Sequence, residues 1–370
     1  MAIMPVLIQH LSERLLRYSP VDWTTSPEQS KLVFMASRGT IGVFLFFAIS
    51  GFILALPFAK SHLQAGPRVS LKAYFWRRLT RLEPPYIFWM TLFALVLWWQ
   101  GTYAGSTLWG HWAASIGYMH NLVYEDYSII NPVAWSLEIE VQFYLVAPLL
   151  AAVFFRWSSP WVRRGLLLAA IVAVLVAQKV FGWVALPYKL TLLWQLQYFL
   201  IGFLVADFFL TDWHGPAKAA GSRTLDILAG LAFLAMCFTW SADLDKRLLF
   251  ALALLIFLVA AFRGRYFTAF LRRPWIAIIG GMCYTIYLVH LPLLEGLSRF
   301  TTQLSFTNEY GWNLLLQALI LFPIVFLVSA LGFLLIEKPC MNKNWPQDLW
   351  RRLRTIGPSQ AAEVSNTADV

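Results

Sequence analysis

Charge is what this chain has least of. Only 13% of its 370 residues are Asp, Glu, Lys or Arg and 59% are hydrophobic, with a mean hydropathy of +0.62. A soluble domain of this size could not cover its surface with so little charge, so composition excludes that class and defines an integral membrane protein. Cysteine is also scarce. Cys237, Cys283 and Cys340 lie far apart without metal-ligand spacing, which excludes a disulfide scaffold and leaves no metal site to expect; they read as packing residues. The leading segment lacks the basic start and small-residue cleavage site of a signal peptide. Internal repeats and soluble domains are missing too. The net charge of +10 is no nucleic-acid footprint, because it sits in short loops, where it reports orientation.

Position along the chain turns this composition into an architecture. Met1–Leu11 is apolar and holds His10, but at 1.5 Å per residue it reaches about 16 Å, roughly half of a hydrocarbon core of about 30 Å. It reads as a partial first helix, residues 1–11, followed by a polar loop over Ser12–Arg38. Full spans are expected near Ile41–Ala59, Pro84–Gln100, Pro132–Phe155, Leu166–Val184, Tyr188–Leu210, Leu225–Trp240, Leu248–Phe262, Trp275–Glu295 and Trp312–Ile336. The expected fold is an all-α polytopic membrane helix bundle of roughly nine spans plus the His10-bearing half-helix, one membrane domain over residues 1–340. Alternating these spans collects most Lys and Arg on one side, most densely in residues 60–81, and the positive-inside bias makes that side the cytoplasm. The C-terminus is then cytoplasmic, and the tail 341–370 ends in small polar residues expected to be disordered over 359–370. Residues 101–131 carry almost no basic residue and form an outer segment.

Within the apolar runs a few polar groups demand a reason. Asn131–Pro148 places Glu138 and Glu140 inside a span, where a charged side chain costs roughly 2.5–3.5 kcal/mol on insertion scales and so faces a cavity, a partner or a substrate. Two residues apart, they point to different helix faces: Glu140 with Ser136 and Tyr144, Glu138 with Trp135 and Gln142. Of the histidines, His62 and His214 fall in cytoplasmic loops and read as solvated, and His111 and His120 read as interfacial. His10 and His290 lie in apolar stretches near outer helix ends. An imidazole there is either a satisfied core group or, facing a membrane glutamate, a general base.

Five segments then occur in order: IGVFLFFAISGF (Ile41–Phe52), FWRRLTRLEPPY (Phe75–Tyr86), NPVAWSLEIEVQFYLVAP (Asn131–Pro148), GGMCYTIYLVHLPL (Gly280–Leu293) and IEKP (Ile336–Pro339). Together they resemble the acyltransferase-3 family of membrane-bound O-acyltransferases, bacterial members of which acylate cell-surface glycans, and the resemblance runs from His10 to Pro339. It implies that His10 is the catalytic histidine of the first helix and that Glu140 is the glutamate of the family's WSLxxE pattern. It also implies that Arg78 and Arg81, with Arg77, bind acyl-CoA, and that Tyr284, Tyr287 and His290 match a YSLYLxH pattern. Guanidinium groups suit the phosphates of such a donor, though the same arginines also suit topology anchoring. Ser50, Trp135, Ser136 and Tyr144 complete a set of polar and aromatic residues for substrate contact or packing. Three departures stand out. The family's arginine about eleven residues before the histidine would precede Met1, so either the start lies upstream, the expectation that the short first helix favours, or this member works without that arginine. Phe44 replaces a common polar residue, and Cys283 and Val289 replace a serine and a tryptophan.

The expected activity is acyl-CoA-dependent O-acyl transfer, with acetyl the first expectation. Cytoplasmic acyl-CoA is the donor substrate, no cofactor is bound, and the acceptor is a hydroxyl of an exopolysaccharide, O-antigen or other cell-surface glycan, glycolipid or lipid-linked sugar, with membrane lipids around it at a bacterial inner membrane. His10 would take the acceptor proton or carry the acyl group, with Glu140 orienting its ring. A secondary transporter using its carboxylates as proton relays is the alternative from another class, opposed by the lack of repeated halves. A scaffold in a polysaccharide assembly complex is a third.

Overall fold

The computed structural model describes residues 2–23, 27–213, 221–304, 307–342, 344–347 and 351. In chain order the helices are α1 (Ile3–Tyr18), α2 (Pro27–Ala36), α3 (Ile41–Leu63), α4 (Leu71–Trp99), α5 (Gly105–Ile116), α6 (His120–Val123), α7 (Ala134–Phe154) and α8 (Pro160–Val180). They continue with α9 (Leu192–Thr211), α10 (Arg223–Thr239), α11 (Leu244–Arg263), α12 (Tyr266–Leu271), α13 (Pro274–Gly281), α14 (Cys283–Thr301), α15 (Tyr310–Gly332) and α16 (Lys338–Cys340). There is no strand among the described residues. His214 and residues 359–370, expected to be solvated and disordered, lie outside them.

Among the described residues six units are long and apolar enough to cross a membrane: α3 with α2, α4, α7, α8, α9, and α15 with its continuation. The pair α13 and α14, bent by 70°, adds a seventh if it is one span. Reaching the expected nine needs α10 and α11. The first has 17 residues, and the second opens on Asp245, Lys246 and Arg247 and closes on Arg263, so length and composition do not carry the count that far.

The first helix corrects the sequence reading. It does not stop at Leu11 but runs to Tyr18, because residues that read as loop find tertiary partners. Tyr310 donates to Ser12 Oγ at 2.6 Å and Arg14 Nε donates to Glu295 at 2.9 Å. Ile3, Leu7, Leu11 and Leu15 meanwhile keep one buried stripe at a spacing of four. The helix docks on the start of α3, where Gly42 admits the Ala2 carbonyl: a Cβ there would stand 2.2 Å from that oxygen. Thr40 Oγ1 donates to Gln9 Oε1 at 2.8 Å, which fixes His10 near the first turn of α3.

Behind it, α3 and α9 cross at backbone contact. A Cβ on Gly51 would lie 2.2 Å from Phe199 O, and one on Gly202 would lie 2.1 Å from Ala48 O. Small residues at such a crossing permit the close approach on which helix association in lipid rests. Asp207 of α9, fully buried, is then clamped by Arg163 Nε at 2.5 Å and Arg164 Nε at 2.8 Å from α8. Two guanidiniums on one carboxylate meet the condition under which a buried charge is tolerated.

Candidate active site

Tyr287 lines two cavities of the interior. The larger, about 750 Å³, holds His10, Glu13 and Lys189 among the faces of Trp135, Trp194 and Trp240. The smaller, about 250 Å³, holds Ser50, Arg78, Arg81, Glu140, Tyr284 and Glu337.

In the larger cavity the histidine has a carboxylate partner on its own helix. His10 Nδ1 lies 3.0 Å from Glu13 Oε2, the i,i+3 distance that a helix provides. An ionised carboxylate only accepts, so Nδ1 carries a proton, and in the neutral ring Nε2 then holds the lone pair. Glu13 is steadied by Arg14 Nη1 at 2.9 Å and by Gln9 Nε2 at 2.8 Å. The His290 ring lies 5.3 Å from that of His10, centroid to centroid. His290 is fully buried and its Nδ1 donates to backbone carbonyls, 2.8 Å from Tyr287 O and 3.1 Å from Ile286 O. Its Nε2 finds no hydrogen-bond partner among the described residues.

Glu140 is therefore not the group that orients His10, contrary to the sequence expectation. It lines the smaller cavity, where Ser50 Oγ donates to its Oε1 at 2.5 Å. The reason is the depth of each helix: His10 sits at the start of α3, whereas Ser50 lies almost three turns further along it. Ser136, Glu140 and Tyr144 do share one face and line this cavity together, as their spacing requires, while Trp135 turns into the larger one. Arg78 and Arg81, i and i+3 on α4, both line the smaller cavity, with the Arg78 guanidinium 5.5 Å from the Tyr144 ring centroid. Arg77 does not line it. It is exposed and its Nε donates to Ala73 O at 3.3 Å on its own helix, since one residue's rotation carries it off the shared face. Tyr284 lines the cavity and its hydroxyl donates to Leu82 O at 2.9 Å. Phe44, one of the departures from the family pattern, lines the larger cavity and stacks on Tyr198 at 4.6 Å.

Two acidic residues escaped the sequence reading. Glu13 fell in the presumed loop, although its i,i+3 relation to His10 was available as a signal. Glu337, within IEKP, closes a π-helical turn over Phe333–Glu337 and is almost fully buried. Its Oε2 accepts from Thr285 Oγ1 at 2.6 Å, and its Oε1 finds no partner among the described residues. Single π turns of this kind recur at functional sites. Glu138 is a tie between elements: its Oε2 accepts from Asn121 N at 2.8 Å, holding the segment of α6 against α7. Between α5 and α6, His111 and His120 form a pair, Nδ1 to Nε2 at 2.7 Å, with His120 Nδ1 donating to Asp126 O at 3.2 Å. Burial, reinforced by His111, pushes His120 down to about 4.

The fold and site define a membrane-embedded helical core, with a histidine–carboxylate pair in one chamber and a basic, carboxylate-bearing pocket in the other. The acyltransferase domain family matches residues 1–334, and the chain belongs to that family. The peptidoglycan O-acetyltransferase OatA of Listeria monocytogenes is 25% identical over 338 residues, 84% of this chain and 52% of the relative. The O-acetyltransferase OatA of Staphylococcus aureus is 23% identical over 342 residues, 84% of this chain and 54% of the relative. The chain thus spans about half the length of the curated relatives it matches. No solved structure matches it.

Proposed function

We propose that the chain is an acyl-CoA-dependent membrane O-acyltransferase that moves an acyl group, acetyl in the first instance, onto a hydroxyl of a cell-surface glycan. It works in a bacterial inner membrane with its C-terminus in the cytoplasm. The observation that carries this reading is the meeting of two unlike cavities at Tyr287. At about 250 Å³ the smaller lies below the roughly 300–1,000 Å³ of sites that hold drug-sized ligands. It suits the acyl end of a thioester, leaving the phosphates of the donor to Arg78 and Arg81 on α4 at its edge. The larger, with three tryptophan faces around His10, suits a sugar ring. The names of the relatives point to the same acceptor class.

The chemistry follows from the tautomer. The acceptor hydroxyl attacks the thioester carbonyl carbon; the new C–O bond forms, the C–S bond breaks, and the hydroxyl proton passes to His10 Nε2, which returns it to the departing thiolate. Glu13 holds Nδ1–H and steadies the transient imidazolium. The donor reaches His10 past Tyr287, whose hydroxyl rests 2.6 Å from Ser136 Oγ. The test supplies labelled acetyl-CoA to inside-out membrane vesicles and follows label into the glycan fraction. Label that moves with the unaltered chain and stops in His10→Ala, at equal membrane content, is the expected result. No transfer from well-inserted protein with acceptor present refutes the proposal.

A further inference from the structure

A third cavity, about 640 Å³, adjoins the His10 chamber and shares Arg14, Arg17, Pro132 and Leu291 with it. Its far wall is apolar, built from Phe93, Val96 and Leu97 of α4 and Phe300 of α14. Val96 is 43% exposed and Phe300 76%, so this wall continues onto the outside of the bundle. Just beyond, Trp98 and Trp99 are 57% and 85% exposed. Exposed tryptophans at the end of a span mark the headgroup level of a membrane.

At that level stand three guanidiniums and one carboxylate. Arg14 Nε lies 2.9 Å from Glu295, Arg17 Nη1 3.6 Å and Arg299 Nη2 3.3 Å; Glu295 is the only acid lining the crevice among the described residues, and Glu13 of the neighbouring chamber holds Arg14 Nη1 at 2.9 Å. Each guanidinium has five N–H donors, so the three together have more than Glu295 and Glu13 can accept, and three positive charges face two negative ones. The Arg17 and Arg299 side chains remain 59% and 60% exposed. The cluster thus carries surplus positive charge and surplus donors, between an apolar slot on one side and the chamber of the base on the other.

We infer that the acceptor arrives as a lipid-phosphate-linked sugar. Its hydrocarbon chain lies along Phe93, Val96, Leu97 and Phe300, its phosphate sits on Arg17 and Arg299, and its sugar passes Arg14 into the His10 chamber. This deepens the proposed function and rests on that reading for the identity of the sugar chamber. An ordinary phospholipid would satisfy the slot and the arginines but leave the tryptophan-lined chamber without use.

The experiment reads binding without any donor. Purified protein in zwitterionic nanodiscs is titrated with a farnesyl diphosphate-linked N-acetylglucosamine, with N-acetylglucosamine 1-phosphate, with farnesyl N-acetylglucosaminide lacking phosphate, and with phosphatidylglycerol. The first should bind at least tenfold more tightly than each of the others, and Arg17→Gln/Arg299→Gln should remove that advantage. Phe300→Ser should weaken the lipid-linked probe and leave the sugar phosphate unchanged. Equal affinity for the phosphate-free glycoside, for the water-soluble sugar phosphate or for phosphatidylglycerol overturns the inference. So does an unchanged affinity in the double variant. Acyl transfer to a soluble glycan that persists while the lipid-linked probe fails to bind overturns this inference alone; tight binding of that probe without any transfer counts against the acyltransferase reading instead.

Discussion

Substituting Glu13 by Gln removes one charge from beside His10 and leaves the shape unchanged. Its consequence can be worked through the hydrogen bonds. Oε2 accepts from both His10 Nδ1 and Arg14 Nη1, whereas Oε1 accepts only from Gln9 Nε2. The new amide NH2 therefore takes the Oε1 position, because at Oε2 it would face two donors. Gln9 accommodates it by turning its own amide over, and Thr40 Oγ1, which now donates to Gln9 Oε1, accepts instead. His10 keeps its acceptor and its tautomer, so the loss is confined to the charge. A hydrogen bond to a charged group contributes about 1.5–3 kcal/mol. The Glu13 side chain is 41% exposed, so solvent screening confines the effect to the lower part of that range. About 1.5–2 kcal/mol corresponds to a fall in kcat of roughly 10–30-fold, with KM for the donor little changed. Steady-state transfer of labelled acetyl in vesicles, normalised to protein content, measures it. A rate within twofold of the parent would show that Glu13 does not support the base. A loss as complete as that of His10→Ala would show that the carboxylate itself takes part in the chemistry.

Gly202→Ala should destabilise the bundle by about 3 kcal/mol, the upper end for overpacking, because the clash at 2.1 Å is with the Ala48 carbonyl and no side chain can yield. Thermal unfolding in detergent reads this, with Gly230→Ala, which meets nothing within 4 Å, as the neutral control. Arg78→Ala/Arg81→Ala should raise KM for acetyl-CoA at least tenfold while Arg77→Ala changes it less than threefold, each guanidinium–phosphate contact contributing about 1.5–3 kcal/mol; equal effects from all three would place the donor outside the smaller cavity. His120 is held near 4, below its ordinary 6.5, so the unfolded chain takes up its proton first and stability is lost as pH falls from 6.5 toward 4. His120→Gln should reduce the difference in melting temperature between about pH 7 and about pH 5, and an undiminished difference would count against the buried pair as its source.

Hydropathy made the helical membrane class legible, because a span needs little more than twenty apolar residues and the chain supplies several. The polar face of α7 was legible as well: Ser136, Glu140 and Tyr144 follow from a period of 3.6 and line one cavity. What stayed hidden depends on packing between helices. The second half of α1 looks like a loop, since Glu13, Arg14 and Arg17 are too polar for a span, and they become helical through Glu295 and Tyr310, nearly three hundred residues away. Glu337 looks like the polar end of a helix, and only its bond to Thr285 shows that it has turned inward. The pairing of His10 with Glu140 failed for the same reason. Sequence order says which residues share a helix face, but whether two faces meet depends on how far each helix slides along its neighbours. Here Gly42 and Gly39 let α1 settle against the start of α3. That register sets His10 at the start of α3, well short of Ser50 and Glu140, so its carboxylate partner comes from its own helix.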